Sequence, residues 1–292
     1  MITASAPMPA TGSPLIARAL CLHAGERVLI HGLDLTCGAG QIWCVAGPNG
    51  AGKTTLLHTL AGLRRRHADE SGEVLLGGRP LLQWRPEALA RQRAFMPQHT
   101  HDAFGATVLE TVLAGRHPYL VQGRWGTWES AADVAHAQAA LHALSLDSLA
   151  GRDVITLSGG ERQRVRLAAL LAQQAPLMML DEPVTHLDLH HQIDCLQVLA
   201  RHVAQAGGPV LFSCHDLNLG RRFATHALLL DGCGGWRAGP AREILSPAYC
   251  SEAFGYPLIM LRDGPHEALI PAIGDQQPPV RQDSRAPSGT EP

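Results

Sequence analysis

The segment Gly47-Pro-Asn-Gly-Ala-Gly-Lys53-Thr54 decides the fold of this chain. It follows an apolar run at residues 42–46 that predicts a buried strand, and it leads into a helical pattern at residues 54–60. Glycines, a lysine and a hydroxyl residue at this spacing, between a strand and a helix, are typical of a phosphate-binding loop. In such a loop the backbone N–H groups surround the phosphates, Lys53 reaches the β- and γ-phosphates, and the Thr54 hydroxyl ligates Mg²⁺. The sequence therefore predicts a site for a phosphate-bearing ligand and a divalent cation.

Lys53 is also the single lysine in a chain of 292 residues that has 24 lysine plus arginine residues. Arginine replaces lysine without harm on a solvated face, but not where a compact ammonium must sit among phosphate oxygens. The lysine that remains is therefore the one that the predicted loop needs.

Composition narrows the class of protein. The net charge of −2 gives no sign of a nucleic-acid partner, and 46% hydrophobic residues with 17% charged residues indicate a globular protein. No stretch approaches the roughly 18 consecutive apolar residues of a membrane helix, and residues 1–13 lack the pattern of a signal peptide. The seven cysteines include no C-x-x-C pair, so they are interpreted as reduced thiols of a cytosolic protein.

Strand and helix patterns alternate along the rest of the chain, which predicts an α/β fold with a mostly parallel sheet covered on both faces. Strands are predicted at residues 73–76, 94–96, 177–180, 210–213 and 227–230, and helices at residues 54–60, from 107 onward, at 131–144, 161–174, 190–205 and 217–224. The helix at 107 starts with the capping-box pair Thr107 and Glu110. A flexible arm is expected over residues 1–14, and a largely disordered tail rich in Pro, Gly, Ser and Gln over residues 263–292.

Two further motifs join the phosphate-binding loop. An apolar strand ends in Asp181-Glu182, which beside such a loop suits a Mg²⁺-holding aspartate followed by a water-polarising glutamate. Alone, an acidic pair after a strand is usually a solvated loop. Leu157-Ser-Gly-Gly-Glu161 places a serine and two glycines before a helix, a second anion-binding helix N-terminus, although alone it is most often a plain helix entry.

With these three motifs in this order, residues 15–261 resemble the ATP-binding cassette (ABC) ATPase family, whose fingerprint is the Ser-Gly-Gly signature between the phosphate loop and the Asp-Glu strand. The resemblance implies a P-loop NTPase (RecA-like) core over residues 15–262, with a mostly parallel sheet. It also implies an N-terminal antiparallel β subdomain and an inserted α-helical subdomain at about residues 99–175. ATP and Mg²⁺ are the cofactors that it implies.

The remaining family positions are matched one by one. Gln98 looks like the glutamine that contacts Mg²⁺ and the attacking water, His215 resembles the switch histidine at the γ-phosphate, and Thr185-His-Leu-Asp188 resembles the loop at the dimer seam. The implied catalytic residues are Lys53, Gln98, Glu182 and His215, and the implied metal ligands are Thr54, Gln98 and Asp181. The implied nucleotide-binding residues are Gly47, Pro48, Asn49, Gly50, Ala51, Gly52, Lys53, Thr54, Thr55, Ser158, Gly159, Gly160 and Asp188.

One position departs from the family pattern. An aromatic residue some two dozen positions before the phosphate loop stacks on adenine in the family, and the alignment places Ala24 there. Either His23 stacks in its place or adenine is held loosely. Val184 stands where the family usually has threonine, a benign exchange.

Three segments resemble the ABC ATPases that power uptake of iron-siderophores, haem and cobalamin: Arg116-His-Pro-Tyr119, residues 186–191 and residues 254–257. Trp125 and Trp128 are interpreted as packing residues of the helical subdomain. The resemblance implies a transporter subunit at the cytoplasmic face of the cell membrane, peripheral through a separate permease. Its other implied partners are a second copy of the chain in an ATP-sandwich homodimer and, indirectly, a substrate-binding protein, with no nucleic acid.

The alternatives are an ABC ATPase of another importer or exporter, and a non-transport ABC ATPase of the DNA-repair type. The repair type inserts a long heptad coiled coil between the phosphate loop and the signature. Residues 54–157 are broken by prolines and glycines and carry no sustained heptads, which favours the transporter.

Overall fold

A computed structural model describes residues 14–65, 67, 69–99, 105–119 and 130–272. The strands are β1 (Leu15–Ala24), β2 (Arg27–Cys37), β3 (Ile42–Ala46), β4 (Ser71–Leu76), β5 (Arg79–Pro80), β6 (Arg93–Met96), β7 (Leu177–Leu180), β8 (Val210–Ser213), β9 (His226–Leu230), β10 (Trp236–Pro240), β11 (Leu258–Asp263) and β12 (His266–Pro271). The helices are α1 (Lys53–Leu60), α2 (Pro86–Gln92), α3 (Val108–Ala114), α4 (Ala131–Ala143), α5 (Gly159–Ala172), α6 (Leu189–Ala206), α7 (Leu217–Phe223), α8 (Ala241–Ile244) and α9 (Pro247–Phe254). The predicted arm up to residue 13, Trp125 and Trp128 lie outside the described residues.

The strands form two larger sheets of the predicted kinds. The N-terminal sheet has the order β2-β1-β4-β5 with antiparallel pairing, and the second has the order β10-β9-β3-β8-β7-β6. In the second sheet β3 pairs in parallel with β8 and β9, β7 pairs in parallel with β6 and β8, and only β10 runs antiparallel. The α/β fold with a mostly parallel sheet and an antiparallel N-terminal sheet is confirmed. Because parallel strands end at the same edge, the segments that follow β3, β7 and β8 meet there.

Strand β3 connects the two hydrophobic cores of the protein. Ile42, Cys44 and Ala46 pack into the core that includes residues of helices α3 to α7. Trp43 and Val45 pack into the core that includes residues of the N-terminal sheet and α1. Successive side chains of a strand point to opposite faces, so an apolar run without alternation is what a strand covered on both faces requires. The strand that carries the phosphate-binding loop is therefore fixed from both sides.

Three helices of the segment 99–175 begin with reciprocal capping boxes. The pairs are Thr107 with Glu110, Ser130 with Asp133, and Ser158 with Glu161. The serine or threonine accepts from the N3 backbone N–H, and the N3 carboxylate accepts from the backbone N–H of the cap. The capping box predicted at Thr107 is confirmed, and α5 begins at Gly159 rather than at residue 161 because Ser158 is its cap.

A buried arginine ties these helices together. Arg116, which is 7% exposed, donates from Nε to Asp133 Oδ1 at 2.8 Å and from Nη1 to the carbonyl oxygen of Ala172 at 2.9 Å. Its guanidinium also lies 4.0 Å from the centre of the Tyr119 ring. Arg116 thus joins the end of α3 to the start of α4 and the end of α5.

We expect Arg116→Ala to lower the free energy of unfolding by about 3–5 kcal/mol, because it leaves the Asp133 carboxylate buried without its partner. Urea denaturation followed by circular dichroism measures the change. Arg18→Ala, which breaks an exposed ion pair with Glu73, is the matched control and should cost about 1 kcal/mol or less. Equal effects of the two substitutions would contradict the role of Arg116.

The predicted boundary of the tail after residue 262 is wrong. Strands β11 and β12 form a hairpin in which Asp263 pairs with His266 across a turn at Gly264, whose φ is 54°. The side chain of Asn218 holds β12, since its Oδ1 accepts from the Leu269 N–H at 2.7 Å and its Nδ2 donates to the Leu269 carbonyl at 3.2 Å. The glycine and proline at 264–265 therefore form a turn, and only residues 273–292 of the predicted tail lie outside the described residues.

Candidate functional site

The phosphate-binding loop connects the end of β3 to the start of α1. Its conformation requires glycine at two points. Gly47 has φ 148°, and a Cβ there would lie 2.6 Å from the carbonyl oxygen of Leu230. Gly52 has φ 97°, caps α1, and would place a Cβ 3.1 Å from Cβ of Leu29. The glycines thus let the loop pass close to Leu29 of β2 and Leu230 of β9.

Lys53 lies at the first turn of α1 and is 6% exposed. Its Nζ donates to the carbonyl oxygens of Gly47 at 2.8 Å and Pro48 at 3.1 Å. Burial lowers the pKa of Lys53, and the carboxylates of Glu182 and Asp181 oppose that shift. The ammonium is therefore positioned on the loop and close to the acidic pair.

Asp181 lies at the end of β7 and is fully buried. Its Oδ1 accepts from the hydroxyl of Ser213 at 2.6 Å, and the same hydroxyl accepts from the Glu182 N–H at 2.8 Å. Oδ2 of Asp181 is buried and has no hydrogen-bond partner among the described residues. A buried carboxylate oxygen without a donor fits a ligand of a hard divalent cation.

The side chain of Glu182 is held at both carboxylate oxygens. His215 Nε2 lies 2.5 Å from Glu182 Oε1, and the Thr185 hydroxyl donates to Glu182 Oε2 at 3.1 Å. The backbone of Glu182 has φ 51°, a left-handed conformation that is strained for a residue with a Cβ. Buried Gln163 stabilises the turn by donating to the carbonyl oxygens of Glu182 at 3.2 Å and Pro183 at 2.9 Å.

Lys53, Glu182 and His215 open onto a cleft of about 640 Å³, whereas the predicted site residue Asp181 is fully buried and does not line it. The predicted site residues that line it are Asn49, Gly50, Gly52, Lys53, Thr54, Thr55, Gln98, Glu182 and His215. Three further lining residues come from the β1–β2 hairpin, and we call them the hairpin wall: Ala24, Arg27 and Leu29. The cleft thus combines a phosphate-binding loop with a carboxylate and an imidazole that contact each other.

The signature residues do not line this cleft. Ser158 caps α5, and its hydroxyl donates to Glu161 Oε2 at 2.8 Å. Gly159 faces open space, since a Cβ there would meet no atom within 4 Å, and Gly160 packs near Leu187. Asp188 caps α6 and contacts Nδ1 of His191 at 2.8 Å. Within one chain the second anion-binding loop therefore stands apart from the phosphate-binding loop.

The structure bears on the hypothesis that His23 stacks on adenine in place of the missing aromatic residue. His23 does not line the cleft, and its Nδ1 lies 3.8 Å from Asp69 while its backbone N–H donates to Glu70 at 3.1 Å. Ala24 does line the cleft. The hypothesis that His23 replaces the aromatic residue is therefore not supported.

Sequence reasoning missed three supporting residues. Ser213 hydrogen-bonds to the side chain of Asp181 and to the backbone N–H of Glu182, and Gln163 donates to the carbonyl oxygen of Glu182. Arg27 lines the cleft. Only Ser213 carried a usable signal, because it ends the apolar strand β8 two residues before His215.

Comparisons with known proteins identify the family of the chain. The sequence profile of the family described as ABC transporter matches residues 30–185, more than half of the chain. The chain belongs to the ABC transporter family. Among ABC relatives, the hemin import ATP-binding protein HmuV of Myxococcus xanthus is 44% identical over 248 residues, covering 82% of this chain and 90% of that protein.

Two further ABC proteins are similar to this chain. The iron(3+)-hydroxamate import ATP-binding protein FhuC of Bacillus subtilis is 36% identical, covering 79% of this chain and 83% of that protein. The solved structure of a metal-chelate type ABC transporter in an inward-facing conformation is 27% identical with a TM-score of 0.76, covering 90% of this chain and 98% of that chain. The ABC ATP-binding fold, and with it the class of ATPase, is therefore shown.

All seven cysteines are free thiols. Within the described ranges, no helix has both the length and the apolar character needed to span a membrane.

Proposed function

We propose that this chain hydrolyses MgATP as the ATP-binding subunit of an importer for an iron chelate, haem or cobalamin. The observation that supports ATP hydrolysis is that Lys53, Glu182 and His215 line one cleft. The ABC relatives support the transport role, because those reported above are named for import of hemin and iron(3+)-hydroxamate.

Each of these residues has a separate role in phosphoryl transfer. Lys53 and the loop amides neutralise charge on the β- and γ-phosphates, which stabilises the charge that develops in the transition state. Glu182 accepts hydrogen bonds from the attacking water and orients it in line with the bond between the γ-phosphorus and the β-bridging oxygen. His215, whose Nε2 lies 2.5 Å from Glu182 Oε1, holds that carboxylate and lines the same cleft. Cleavage yields ADP and inorganic phosphate.

Asp181, Thr54 and Gln98 would hold Mg²⁺. The unpartnered Oδ2 of buried Asp181 fits this role, and Thr54 and Gln98 line the cleft beside Glu182, the next residue in the chain. When bound, the cation supplies charge that stabilises the leaving β-phosphate oxygen. The carboxylate of Asp181 is oriented by the Ser213 hydroxyl, so Ser213 is a positioning residue for the metal ligand.

The complete ATP site is formed by two copies of the chain. Gly159 and the cap residue Ser158 are exposed and lie outside the cleft, so this helix N-terminus is accessible to an anion held by another molecule. A second copy related by a two-fold axis supplies that ligand, the γ-phosphate on the partner's Lys53. ATP then joins two copies, and hydrolysis releases them.

The permease contacts a groove next to Gln98. A groove of about 230 Å³ is lined by Phe95, Met96 and Pro97, immediately before Gln98, and by residues of α3 and α5. An occupant of this groove touches the segment that ends at the Mg²⁺ ligand, which couples permease movement to ATP hydrolysis. In this proposal the chain lies at the cytoplasmic face of the membrane and is held there by the permease.

The test is ATP turnover of the chain alone and with its permease in liposomes, together with uptake of labelled haem, ferric siderophore and cobalamin. Binding protein loaded with the transported chelate should raise turnover, and uptake should require ATP. Glu182→Gln in the same liposomes is the control, because it keeps the fold and removes the water-orienting charge. Turnover that no permease and no chelate changes would refute the transport role while leaving the ATPase intact.

A further inference from the structure

The hairpin wall takes no part in the chemistry of the γ-phosphate. Glu182 and His215 contact each other and line the cleft together with Lys53, so the γ-phosphate end of the cleft lies on their side. The remainder of the nucleotide then extends along the phosphate-binding loop toward the β1–β2 hairpin. The hairpin wall therefore meets the nucleobase.

Arg27 is held in place at this wall. It forms the last pair of the β1–β2 hairpin with Ala24, and its Nη2 donates to the carbonyl oxygen of Gly232, between β9 and β10, at 2.6 Å. A Cβ at Gly50 would lie 3.6 Å from Arg27 Nη1. The guanidinium thus spans from the β9–β10 turn to the phosphate-binding loop.

Arg27 is also the one planar group of the hairpin wall. Ala24 offers a methyl group, and Leu29 is 3% exposed. No phenylalanine, tyrosine or tryptophan of the described residues lines the cleft. A guanidinium is planar, delocalised and weakly hydrated, and it stacks on aromatic faces.

We propose that Arg27 is the nucleobase platform of this ATPase, with the plane of its guanidinium stacked on the adenine ring. This proposal rests on the binding of ATP in the cleft. Stacking engages the face of the base and not its edge, so the platform accepts GTP as well as ATP.

The experiment measures dissociation constants by titration calorimetry for MgATP, MgGTP and magnesium tripolyphosphate, a ligand without a base. Arg27→Ala should weaken ATP and GTP binding by about 3- to 30-fold and leave tripolyphosphate binding unchanged. Arg27→Lys should weaken ATP binding as well, because an ammonium keeps the charge and lacks the plane. Arg18→Ala, on the neighbouring strand and outside the cleft, is the matched control and should change none of the three constants.

Ala24→Tyr provides the rescue. In the Arg27→Ala background a tyrosine on the same wall supplies a new stacking face, so the affinity for both nucleotides should return toward the wild-type value. A rescue of nucleotide binding without any change in tripolyphosphate binding identifies the lost contact as one to the base.

Three results would overturn the platform. They are unchanged ATP affinity in Arg27→Ala, wild-type ATP affinity in Arg27→Lys, and a parallel loss of tripolyphosphate binding, which would make Arg27 a phosphate ligand. If the unaltered chain binds neither ATP nor tripolyphosphate, the proposed ATP site itself fails. If the unaltered chain binds both and Arg27→Ala changes nothing, only the platform fails.

Discussion

Lys53→Ala lowers ATP turnover at least about 100-fold, because the transition state loses a buried ammonium at the γ-phosphate. No other lysine exists in the chain to take its place. ATP binding weakens as well, since the phosphates lose a partner in the ground state. Phosphate release from the purified variant, measured at saturating and limiting MgATP, gives both effects.

Lys53→Arg tests whether the site requires a compact ammonium or accepts any positively charged side chain. The Lys53 ammonium fits between the carbonyl oxygens of Gly47 and Pro48, within 3.1 Å of both, and a planar guanidinium does not fit that space. We expect Lys53→Arg to fail like Lys53→Ala. Arg18→Lys, the reverse exchange on an exposed strand position, should keep full turnover. Near-wild-type turnover of Lys53→Arg would contradict the role assigned to Lys53.

Glu182→Gln lowers turnover by about 100- to 10,000-fold while ATP still binds, because the amide keeps the shape of the side chain and loses the charge that polarises water. The contacts of Glu182 predict that the variant stays folded, since Thr185 and His215 can still hydrogen-bond to an amide. Turnover is measured by phosphate release, and binding by titration with ATP in Mg²⁺.

The same variant tests the composite site. With hydrolysis blocked, ATP should hold two copies together, so light scattering after size exclusion should show a monomer without nucleotide and a dimer with ATP. Gly159→Arg in the Glu182→Gln background should abolish the dimer, because a side chain there meets nothing in its own chain and protrudes toward the partner. Gly151→Arg, at another glycine with open space around it, is the matched control and should leave the dimer intact.

The outcomes separate the two roles of Glu182. A Glu182→Gln variant that remains monomeric at saturating ATP, or a dimer that tolerates Gly159→Arg, speaks against the composite site. A variant that dimerises and still turns over ATP at the wild-type rate speaks against Glu182 as the residue that orients water.

The centre of the fold could be predicted from the sequence because its strands are buried on both faces. The runs at Ile42–Ala46 and Leu177–Leu180 are apolar throughout, Val210–Ser213 is apolar up to its final serine, and the structure has strands with these same bounds. The chemistry-bearing residues follow directly on these strands. Their meeting at one edge was therefore implied as soon as the sheet was predicted to be parallel.

The rest depends on contacts between distant parts of the chain. Strand β12 is stabilised by Asn218, 51 residues away, and a local reading of Gly264 and Pro265 favours a tail. The Ser213 hydroxyl reaches Asp181 and Glu182 only because β7 and β8 are neighbours in a particular register. Neither contact leaves a periodic pattern in the sequence.

The two carbonyl contacts of Lys53 bear on how quickly nucleotide exchanges. The ammonium links two carbonyl oxygens of its own loop through one side chain, so the loop is braced from within. Much of the entropy cost of arranging such a loop is met when the chain folds. We therefore expect a triphosphate to bind with little further ordering of the backbone.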